Sequence, residues 1–438
     1  MKNTKKKLKG KSGVVKYSFT GNNITKYSGL NTVAKYMNKQ GIVKSISTLF
    51  PTEWHSATKF GLNQILTSIA MSSFCGINCI CKIAAFTGDG LVLALLKLDK
   101  AINENAISAT LKKLGQSGAR KLQMLLLSKN ARWLHESGLE SITLDADPTV
   151  KSVCGNQEGA AKGFNQAKKG AKSYHPLLVF VSEMKLLYHT WFRTGSAYTA
   201  NGIVDFLKEV EASLPKNITM VFFQADSGFF SGKLFDLLES FGRDYLVKVK
   251  LKNLVELLKK QEWEVSDKQK DIAICEFAYK AGSWEEARIL KAIRTVKEYV
   301  ETDFFGESKI VPVYQYACYI STYEFDAAGL HKIYKQCSTS ETWIEQVKSH
   351  VMAGATLTGD FWANDILWQL SVLAYNISVM MRQKKDKFKR QEHRTFIDWF
   401  IAVPAKITKS GHQSKIKMYG NHFYKADWKE LDRLVEAA

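Results

Sequence analysis

The chain has 438 residues, 45% of them hydrophobic and 12% aromatic, so it can bury a sizeable core and is long enough for about two to three domains. This composition excludes a chain that is disordered over most of its length. Lysine and arginine number 62 against 42 aspartates and glutamates, a formal net charge of +20. Such an excess favours a polyanionic partner, most simply nucleic acid, with an anionic membrane surface as the rival interpretation. No run of about 18 apolar residues is present, so a spanning helix is not expected.

The N-terminal segment MKNTKKKLKGKSG is basic and has no apolar run directly behind it, which argues against a secretory signal. We interpret residues 1–27 as a basic flexible tail that either contacts phosphates or is simply solvated. Seven cysteines are scattered along the chain without a matching Cys/His pair at zinc-finger spacing. Their odd number and the missing signal favour reduced thiols in a cytosol.

Residues 28–137 are predicted to be helical, because FGLNQILTSIAMSSF and SGARKLQMLLLSKNARWLHESG carry apolar residues at helical spacing. Between these two segments, NENAISATLKKLG offers Asn103 or Asn105 as a helix cap, followed by a short basic helix. This helix is either the second helix of a helix-turn-helix that enters a major groove or part of an ordinary packed helix pair.

Strands and helices alternate between residues 138 and 249, which predicts an α/β sheet with helices packed on it. SITLDADPTV is typical of a strand, and PLLVFVSEMKLLYHTWF is typical of two strands joined at Ser182 and Glu183. NITMVFFQADSGFF begins as a strand and ends in a glycine turn. The segments NGIVDFLKEVEASL and SGKLFDLLESFG are the helices of this region.

The pattern changes again in residues 250–327, where IAICEFAYKAG, ARILKAIRTV and PVYQYACYIST alternate with turns and predict a β-rich insertion. Two helices follow, STSETWIEQVKSHVMAG and NDILWQLSVLAYNISVMMRQ; the second is apolar on most faces and is expected to be buried. The charged stretch RQKKDKFKRQEHR either binds DNA or is a solvated helix end. The segment DWFIAVPAKITKSGHQSKIKMYG predicts a hairpin with Ser-Gly at its turn.

Three acidic positions stand out by their context. Asp145 and Asp147 lie on one face of an early strand, because side chains alternate along a strand. Asp226 ends the apolar strand ITMVFF and precedes a glycine turn, where α/β proteins place groups that face a ligand. Glu341 lies early in a helix, and its spacing to Glu345 and Lys348 puts the three on one face.

Carboxylates that converge from two strand ends and a helix would form an oxygen-rich site suited to Mg²⁺ or Mn²⁺. Two such ions can activate water and stabilise the leaving oxygen in phosphoryl transfer. The competing interpretation is that these acids are solvated caps at the ends of unrelated elements. Spacing alone does not separate the two interpretations.

Three segments, in order, resemble the catalytic blocks of insertion-sequence transposases that carry a DDE triad. The first is LDADPTVKSVCGNQEGAAKGFNQAKKGAKSYHPLLVF, the second is FFQADSGFF and the third is YKQCSTSETWIEQVKSH. FWANDILWQLSVLAYNISVMMR resembles the buried helix that follows the third block. The resemblance runs from about residue 28 to 425 and is strongest to the bacterial "thirteen-eighty" type, a relative of the hairpin-forming cut-and-paste group.

The resemblance implies an α/β fold with an RNase H-like catalytic core made of residues 138–249 and 328–438. The core would be interrupted by the insertion of residues 250–327 and preceded by a helical DNA-binding domain of residues 28–137. The enzyme would use Mg²⁺ or Mn²⁺, bind terminal inverted repeats and target DNA, and cleave and join strands as a homodimer in the bacterial cytosol, with no membrane partner. The alternative is a catalytically decayed copy that only binds DNA.

By this resemblance, the triad maps onto Asp147, Asp226 and Glu341, which would be both catalytic residues and metal ligands. In such proteins the first aspartate lies just before a threonine, as in DPT here, which favours Asp147 over Asp145. Asp145 would then be a supporting residue. Glu345, one turn beyond Glu341, is the fallback for the third position.

The third block of the family carries a tyrosine, an arginine, a glutamate and a lysine at fixed gaps. Tyr334 would touch the DNA backbone and Lys348 would hold a phosphate near the cleaved bond. Cys337 occupies the arginine position, and a thiol cannot make a bidentate phosphate contact. Lys335 or Lys332 would substitute, each with a point charge only.

The glycine- and lysine-rich segment CGNQEGAAKGFNQAKKGAKSYHPL directly follows the first strand. We predict a loop laid along phosphates near the metal site; an exposed loop without that role is the alternative. His175 begins the next strand and is not expected to bind metal. Trp343 and Trp362 either stack on a base near the cut or pack in the core. The DNA-binding candidates of this segment are Lys162, Lys168, Lys169 and Lys172.

Overall fold

The computed structural model describes residues 23–50, 60–77, 79–163, 165, 168–198, 200–266, 269–304, 307–336, 340–351, 353–410 and 413–437. Most of the basic tail and Cys337 therefore lie outside the described residues. Within these ranges, no helix combines the length and the apolar character needed to cross a membrane.

The chain is mainly helical up to residue 136, and helices alternate with strands after that. The α-helices are α1 (Leu30–Lys39), α2 (Ile42–Leu49), α3 (Leu62–Phe74), α4 (Ile80–Thr87), α5 (Gly90–Leu96), α6 (Glu104–Glu136), α7 (Ile203–Ser213), α8 (Gly232–Ser240), α9 (Leu254–Lys259), α10 (Ala327–Gln336), α11 (Ser340–Glu345), α12 (Phe361–Arg382), α13 (Asp386–Lys389), α14 (His393–Phe396) and α15 (Lys425–Ala437). A 3-10 turn spans Ser227–Phe229, and π-helical turns span Gln346–His350 and Ile397–Ile401.

Strands form one large sheet and two small ones within the described ranges. They are β1 (Ile24–Thr25), β2 (Ser141–Pro148), β3 (Lys151–Ser152), β4 (Ala161–Lys162), β5 (Lys172–Tyr174), β6 (Leu177–Val181), β7 (Leu186–Trp191), β8 (Met220–Ala225), β9 (Asp244–Lys248), β10 (Glu264–Ser266), β11 (Gln269–Tyr279), β12 (Arg288–Phe304), β13 (Glu307–Ser321), β14 (Ala405–Ser410) and β15 (Gln413–Met418). Together with the helices, these strands confirm the predicted α/β class.

The large sheet has the strand order β10-β11-β12-β13-β9-β8-β2-β6-β7. Its central strands β2, β8 and β9 run parallel to one another, whereas β6 and β7 pair antiparallel on one side. Helix α8 makes the crossover between β8 and β9, as a parallel pair requires. The carboxyl ends of the three parallel strands therefore meet at one edge of the sheet.

The predicted β-rich insertion is not a separate sheet. Strands β11, β12 and β13 pair antiparallel with one another, and β13 pairs antiparallel with β9 through Tyr319, Ile320 and Ser321. The insertion strands thus continue the central sheet beyond β9. Helix α10 packs against β11, β12 and β13 before the chain enters α11.

The helix α12 is buried along almost its whole length, as its apolar sequence predicts. It packs against α6, α3 and β7. A buried amide joins these elements: the side-chain nitrogen of Asn376 donates to Asn130 Oδ1 of α6 at 3.0 Å, and Asn376 Oδ1 accepts from the Leu187 backbone of β7 at 3.1 Å. One contiguous core extends from Leu30 to Val435 and includes residues of the N-terminal helices.

The helix that begins NENAISATLKKLG is capped by Asn103, whose side chain accepts from the Ala106 backbone at 2.8 Å. It does not end at Gly115 but continues as α6 with a break at that residue, where φ is 52°. Glycine is suited to this break because a side chain would be strained at a positive φ. The two predicted helices are therefore the two halves of one kinked element.

The C-terminal hairpin is confirmed as β14 and β15, and its central residues Gly411 and His412 lie outside the described residues. The charged stretch before it contacts α15, a helix that we did not predict. Lys385 pairs with Glu430, and Lys387 pairs with Asp427 and Glu430. Part of the charge of this stretch is thus used within the fold.

Candidate active site

Two aspartates end adjacent parallel strands of the central sheet. The register of β2 and β8 pairs Asp145 with Gln224 and Ala146 with Ala225. Asp147 and Asp226 are the next residues along each strand, so they stand at the same level of the sheet. This is the edge at which α/β sheets place ligand-facing groups.

A cavity of ≈ 130 Å³ brings these aspartates together with the glutamate of the third block. Glu341 reaches it from the first turn of α11, and Tyr334 reaches it from α10. The residues that line the cavity are Asp145, Ala146, Asp147, Gln224, Ala225, Asp226, Tyr334, Ser340 and Glu341. Acidic groups from three separate segments therefore face one small space, which we call the acidic cavity.

Burial and mutual repulsion make Asp147 difficult to ionise. Burial raises the pKa of Asp147 to about 8, and the charges of Asp226, Asp145 and Glu341 add to this rise. The cation of Lys348 opposes it. A carboxyl held neutral near pH 7 in this way would ionise readily if a cation entered the cavity.

Asp145 differs from Asp147 in its hydrogen bonds. It is 6% exposed, and burial raises its pKa to about 7, while a hydrogen bond from the Ser340 hydroxyl opposes the rise. Its Oδ2 atom is buried and has no hydrogen-bond partner. An unpaired buried carboxylate oxygen is costly, so this atom is suited to a cation or a water molecule.

Asp226 is held by its own turn. Its Oδ1 accepts from the Gly228 backbone at 2.8 Å, at the start of the 3-10 turn. Burial raises the pKa of Asp226, whereas this hydrogen bond and the cations of Lys250 and Lys248 lower it. Asp226 is therefore held by its backbone and by cations rather than by another acid.

The donor set fits a hard divalent cation, because the facing groups are carboxylate oxygens and one of them is unpaired. The side chains are nevertheless not arranged as a finished coordination shell: across the described residues, no three His, Cys, Asp or Glu side chains are grouped closely enough to hold a metal ion. The acids repel one another in this arrangement, which agrees with the raised pKa values of Asp145 and Asp147.

Tyr334 lies among the acids rather than on an outer surface. Burial raises the pKa of its hydroxyl, and the charges of Asp226, Asp145, Asp147 and Glu341 add to the rise. The ring packs at 5.2 Å from Tyr319. A neutral phenol can donate a hydrogen bond into an acidic site, so this position suits contact with a phosphate bound there.

A larger cavity of ≈ 810 Å³ opens next to the acidic cavity and shares Asp147 and Asp226 with it. Its cationic lining comes from Lys151, Lys250 and Lys348. We call this the cationic cavity. Anionic and cationic walls in contact with each other are suited to a phosphate that is held beside a metal site.

Lys151 is an unusual member of the cationic cavity because it is 3% exposed. Its Nζ lies 5.4 Å from the centre of the Phe192 ring and 5.9 Å from that of Trp368. Burial lowers its pKa to about 7, and the charge of Asp365 opposes the fall. Aromatic faces and a nearby carboxylate thus surround the buried amine.

The helix of the third block departs from regular α-geometry after Glu345, where the π-helical turn begins. Ile344, Val347 and Val351 of this segment are buried. Glu345 lines neither cavity, and its carboxylate accepts from the Ser349 hydroxyl instead. The regular spacing from Glu345 to Lys348 does not hold through the π-helical turn that separates them, because such a turn changes the number of residues per turn.

The lysines of the glycine-rich segment do not line either cavity. The segment forms the small sheet β3-β5-β4, in which Lys162 lies opposite Lys172. Lys162, Lys168 and Lys169 are exposed, and Lys172 donates to Asn156 at 2.8 Å. Asn165 of this segment does line the cationic cavity, so the segment approaches the site through an amide rather than a lysine.

Other predicted positions have varied surroundings. Trp343 packs against Phe180 in the core, with ring centres 5.6 Å apart. His175 lines the cationic cavity, and one ring nitrogen lies 2.6 Å from the Ala197 carbonyl. Lys332 and Lys335 are exposed on α10. Cys337 lies outside the described residues.

Sequence reasoning missed Lys250, Lys151 and Ser340. Lys250 follows β9, the next parallel strand, so the same strand-end argument that identified Asp226 would have found it. Lys151 and Ser340 gave no such signal, because their positions depend on packing between distant segments.

The chain is similar to two solved transposase complexes. It is similar to a solved piggyBac transposase synaptic complex with hairpin DNA, with 14% identity and a TM-score of 0.46, over 85% of this chain and 79% of that chain. It is similar to the Mos1 transposase paired-end complex with the left transposon end, with 10% identity and a TM-score of 0.18, over 44% of this chain and 61% of that chain. None of the curated proteins matches the chain significantly.

A family model described as "Transposase DDE domain group 1" matches residues 7–437. The match covers nearly the whole chain and confirms the resemblance to DDE transposases that the three sequence blocks indicate. The chain therefore belongs to the transposase DDE domain family, group 1.

Proposed function

We propose that the chain is a metal-dependent DNA transposase whose catalytic carboxylates are Asp147, Asp226 and Glu341. The observation that carries the proposal is the acidic cavity, where these three residues meet from β2, the end of β8 and α11. They are far apart in the sequence, and solvated caps of unrelated elements would have no reason to share one cavity. Family membership supports the reaction class.

The proposed catalytic core is RNase H-like. Its support is the strand order β7-β6-β2-β8-β9, with antiparallel strands on one side of β2 and parallel strands on the other. In this proposal the N-terminal helices of residues 28–137 bind DNA, and β10–β13 are an insertion that extends the core sheet.

Mg²⁺ or Mn²⁺ is the proposed cofactor, and Asp147, Asp226 and Glu341 would hold it. When bound, such an ion supplies Lewis-acid activation of the phosphodiester and of water. Asp145, bonded to Ser340, would support Asp147 from the same strand. The unpaired Oδ2 of Asp145 and the raised pKa values of both aspartates fit a cavity that is suited to a cation.

The remaining residues would bind and orient the DNA strand. Lys348 lies in the cationic cavity and acts electrostatically on Asp147, so it would hold a phosphate next to the carboxylates. Tyr334 would donate its hydroxyl proton to a phosphate oxygen. Lys250 would hold the strand where it leaves the cut. The lysines of the glycine-rich segment would contact phosphates farther from the cut. They are Lys162, Lys168, Lys169 and Lys172.

The proposed substrates are the terminal inverted repeats of an insertion sequence and a target duplex. Hydrolysis at the end of the element would break one phosphodiester and release a 3′-hydroxyl. Attack of this hydroxyl on a second phosphodiester would form a new phosphodiester and release the 3′-oxygen of the attacked strand as its hydroxyl, so strands are joined. Because two ends must be handled together, the chain would act as a homodimer on DNA.

The test compares Asp226→Asn with the wild type in Mg²⁺-dependent cleavage of a duplex that carries the element's ends. The substitution keeps the size of the side chain but removes its charge, so cleavage should be lost and DNA binding largely kept. Asp205→Asn is the matched control, because Asp205 is an exposed residue of α7. Full cleavage by Asp226→Asn would refute the triad.

A non-catalytic DNA-binding protein is the second candidate, and Cys337 at the arginine position of the third block favours it. The same assay separates the two candidates. Wild-type protein that binds the ends but does not cleave them in Mg²⁺ or Mn²⁺ would support this second function. Restored cleavage in Cys337→Arg would then identify the thiol as the cause.

A further inference from the structure

The three-stranded sheet β1-β14-β15 has two chemically different faces. On one face Ile407 stands opposite Ile416, and the Ile407 side chain packs toward Gly90 at the start of α5. On the other face Lys406 stands opposite Lys417, and Lys415 lies two residues before Lys417. Directly opposite residues of an antiparallel pair point to the same side, so the three lysines share the outer face.

The arrangement of these lysines is unfavourable for the isolated protein. Like charges that face each other across two strands destabilise the pair. All three lysines are exposed, and no carboxylate among the described residues forms an ion pair with any of them. A solvated face would be expected to mix charges of both signs. The face instead presents a uniform positive charge.

Protection of a sheet edge explains only part of this charge, because Lys415 and Lys417 lie on the edge strand β15 but Lys406 does not. Lysines on an edge strand commonly prevent pairing with another chain. Here β14 is the central strand of the three, so Lys406 is not on an edge. In addition, the basic residues 1–22 directly precede β1 in the sequence.

Two exposed aromatic residues follow the lysines. Tyr419 is 69% exposed and Phe423 is 88% exposed, just beyond the end of β15. Single exposed apolar residues are ordinary on a protein surface. Two exposed aromatic rings that follow a cationic strand pair in the sequence, however, supply the combination that nucleic-acid-binding proteins use for phosphates and for sugars or bases.

We propose that Lys406, Lys415 and Lys417, with Tyr419 and Phe423, form a second DNA-binding surface, which we call the lysine ribbon. None of its residues lines the acidic or the cationic cavity, so it contacts a part of the duplex away from the cut. The lysines bind backbone phosphates, and the aromatic rings contact sugars and bases. The inference rests on the proposed function in that the partner is the DNA on which the enzyme acts.

The experiment measures the binding of a fluorescently labelled duplex of mixed sequence at several salt concentrations, without metal. The variant K406Q/K415Q/K417Q should bind more weakly at low salt. Its slope of log affinity against log salt should fall in magnitude by about 0.9 for each phosphate that the variant no longer neutralises. The matched control K216Q/K233Q/K259Q removes the same charge from exposed lysines elsewhere and should keep the wild-type slope.

A second pair of substitutions tests the aromatic rings. Tyr419→Ser with Phe423→Ser should lower the affinity several-fold at every salt concentration and leave the slope unchanged, because apolar contacts release no counterions. The lysine variant should therefore change the dependence of affinity on salt, whereas the aromatic variant should change the affinity alone. All five residues are exposed, and thermal unfolding checks that each variant remains folded.

A salt slope of the lysine variant equal to that of the wild type would overturn the inference. An equal decrease of the slope in the control variant would also overturn it, because the total charge of the protein would then explain the effect. Weaker binding to vesicles with anionic lipid, with duplex binding intact, would assign the surface to a membrane instead. Wild-type protein that binds no duplex would refute the proposed function itself. Wild-type binding that the ribbon variants leave intact would refute only the lysine ribbon.

Discussion

Asp147 and Asp226 stand level with each other at the carboxyl ends of two adjacent parallel strands. The register that pairs Ala146 with Ala225 fixes this relationship. Burial raises the pKa of both aspartates, and the charge of Asp226 raises that of Asp147 further, so the sheet holds two acids together against their repulsion. A fold gains no stability from such an arrangement, which is why we attribute it to function.

The two glutamates of the third block should respond differently to substitution. Glu341→Gln should abolish Mg²⁺-dependent cleavage, because Glu341 lines the acidic cavity. Glu345→Gln makes the same chemical change one turn later, where the side chain is exposed and accepts from Ser349. It should keep cleavage within a few-fold of wild type. Loss of cleavage in Glu345→Gln alone would show that Glu345 is the third carboxylate.

The two aspartates of β2 should also differ. Asp147→Asn should abolish cleavage, whereas Asp145→Asn should lower it by about 10–100-fold, the usual effect of losing a group that supports a metal ligand. Ser340→Ala should act in the same direction as Asp145→Asn, because Ser340 donates to Asp145. Initial cleavage rates at several Mg²⁺ concentrations would separate weaker metal binding from a slower reaction. An equal decrease of the cleavage rate in Asp145→Asn and Asp147→Asn would contradict the separate roles of the two aspartates.

The stability of the metal-free protein should depend on pH through Asp147. Its pKa in the folded chain is about 8, above the ordinary value of 3.8, so the folded state binds a proton that the unfolded state has released. This stabilising contribution is complete below about pH 4 and is lost as the pH rises through about 8. The wild type should therefore lose on the order of a few kcal/mol of stability over this range.

Asp147→Asn removes this titration, so the stability of the variant relative to the wild type should increase with pH. Urea unfolding in the presence of a chelator at several pH values measures the difference. Asp205→Asn, on an exposed part of α7, should show no such trend. If the difference in free energy of unfolding between Asp147→Asn and the wild type does not change with pH, the raised pKa of Asp147 is contradicted.

Local rules predict only part of the candidate site, and the rest of its prediction depended on resemblance. Asp226 follows an apolar strand and a glycine turn lies behind it, which marks the end of a strand in the sequence itself. Asp147 was preferred to Asp145 by resemblance, since alternation treats the two equally. Glu341 depended on resemblance as well, because an acid in the first turn of a helix is a common cap.

The features that sequence did not predict arise from contacts between distant segments. The buried position of Lys151 needs the rings of Phe192 and Trp368, which lie on other elements. The pairing of β13 with β9, which joins the insertion to the core sheet, is a non-local choice that strand patterns do not encode. The π-helical turn after Glu345 likewise has no signature in the spacing of apolar residues.

Lys250 should affect the handling of DNA more than the fold. It lines the cationic cavity and lowers the pKa of Asp226, whereas Lys252, two residues on, is exposed and lines neither cavity. Lys250→Gln should raise the KM for the duplex by about 10–100-fold, the effect expected from removing a charged hydrogen bond of about 1.5–3 kcal/mol. Lys252→Gln is the control and should have little effect. Comparable KM values for Lys250→Gln and Lys252→Gln would show that Lys250 does not contact the DNA.

Finally, the buried amide of Asn376 should be important for stability rather than for chemistry. Asn376→Leu keeps the approximate size of the side chain but leaves Asn130 Oδ1 and the Leu187 N–H without their partners. Each unpaired buried group costs about 1–3 kcal/mol, so the free energy of unfolding in urea should fall by several kcal/mol. Asn253→Leu changes an exposed residue and should shift it by no more than about 0.5 kcal/mol. Equal shifts in the two variants would mean that this amide does not hold α6, α12 and β7 together.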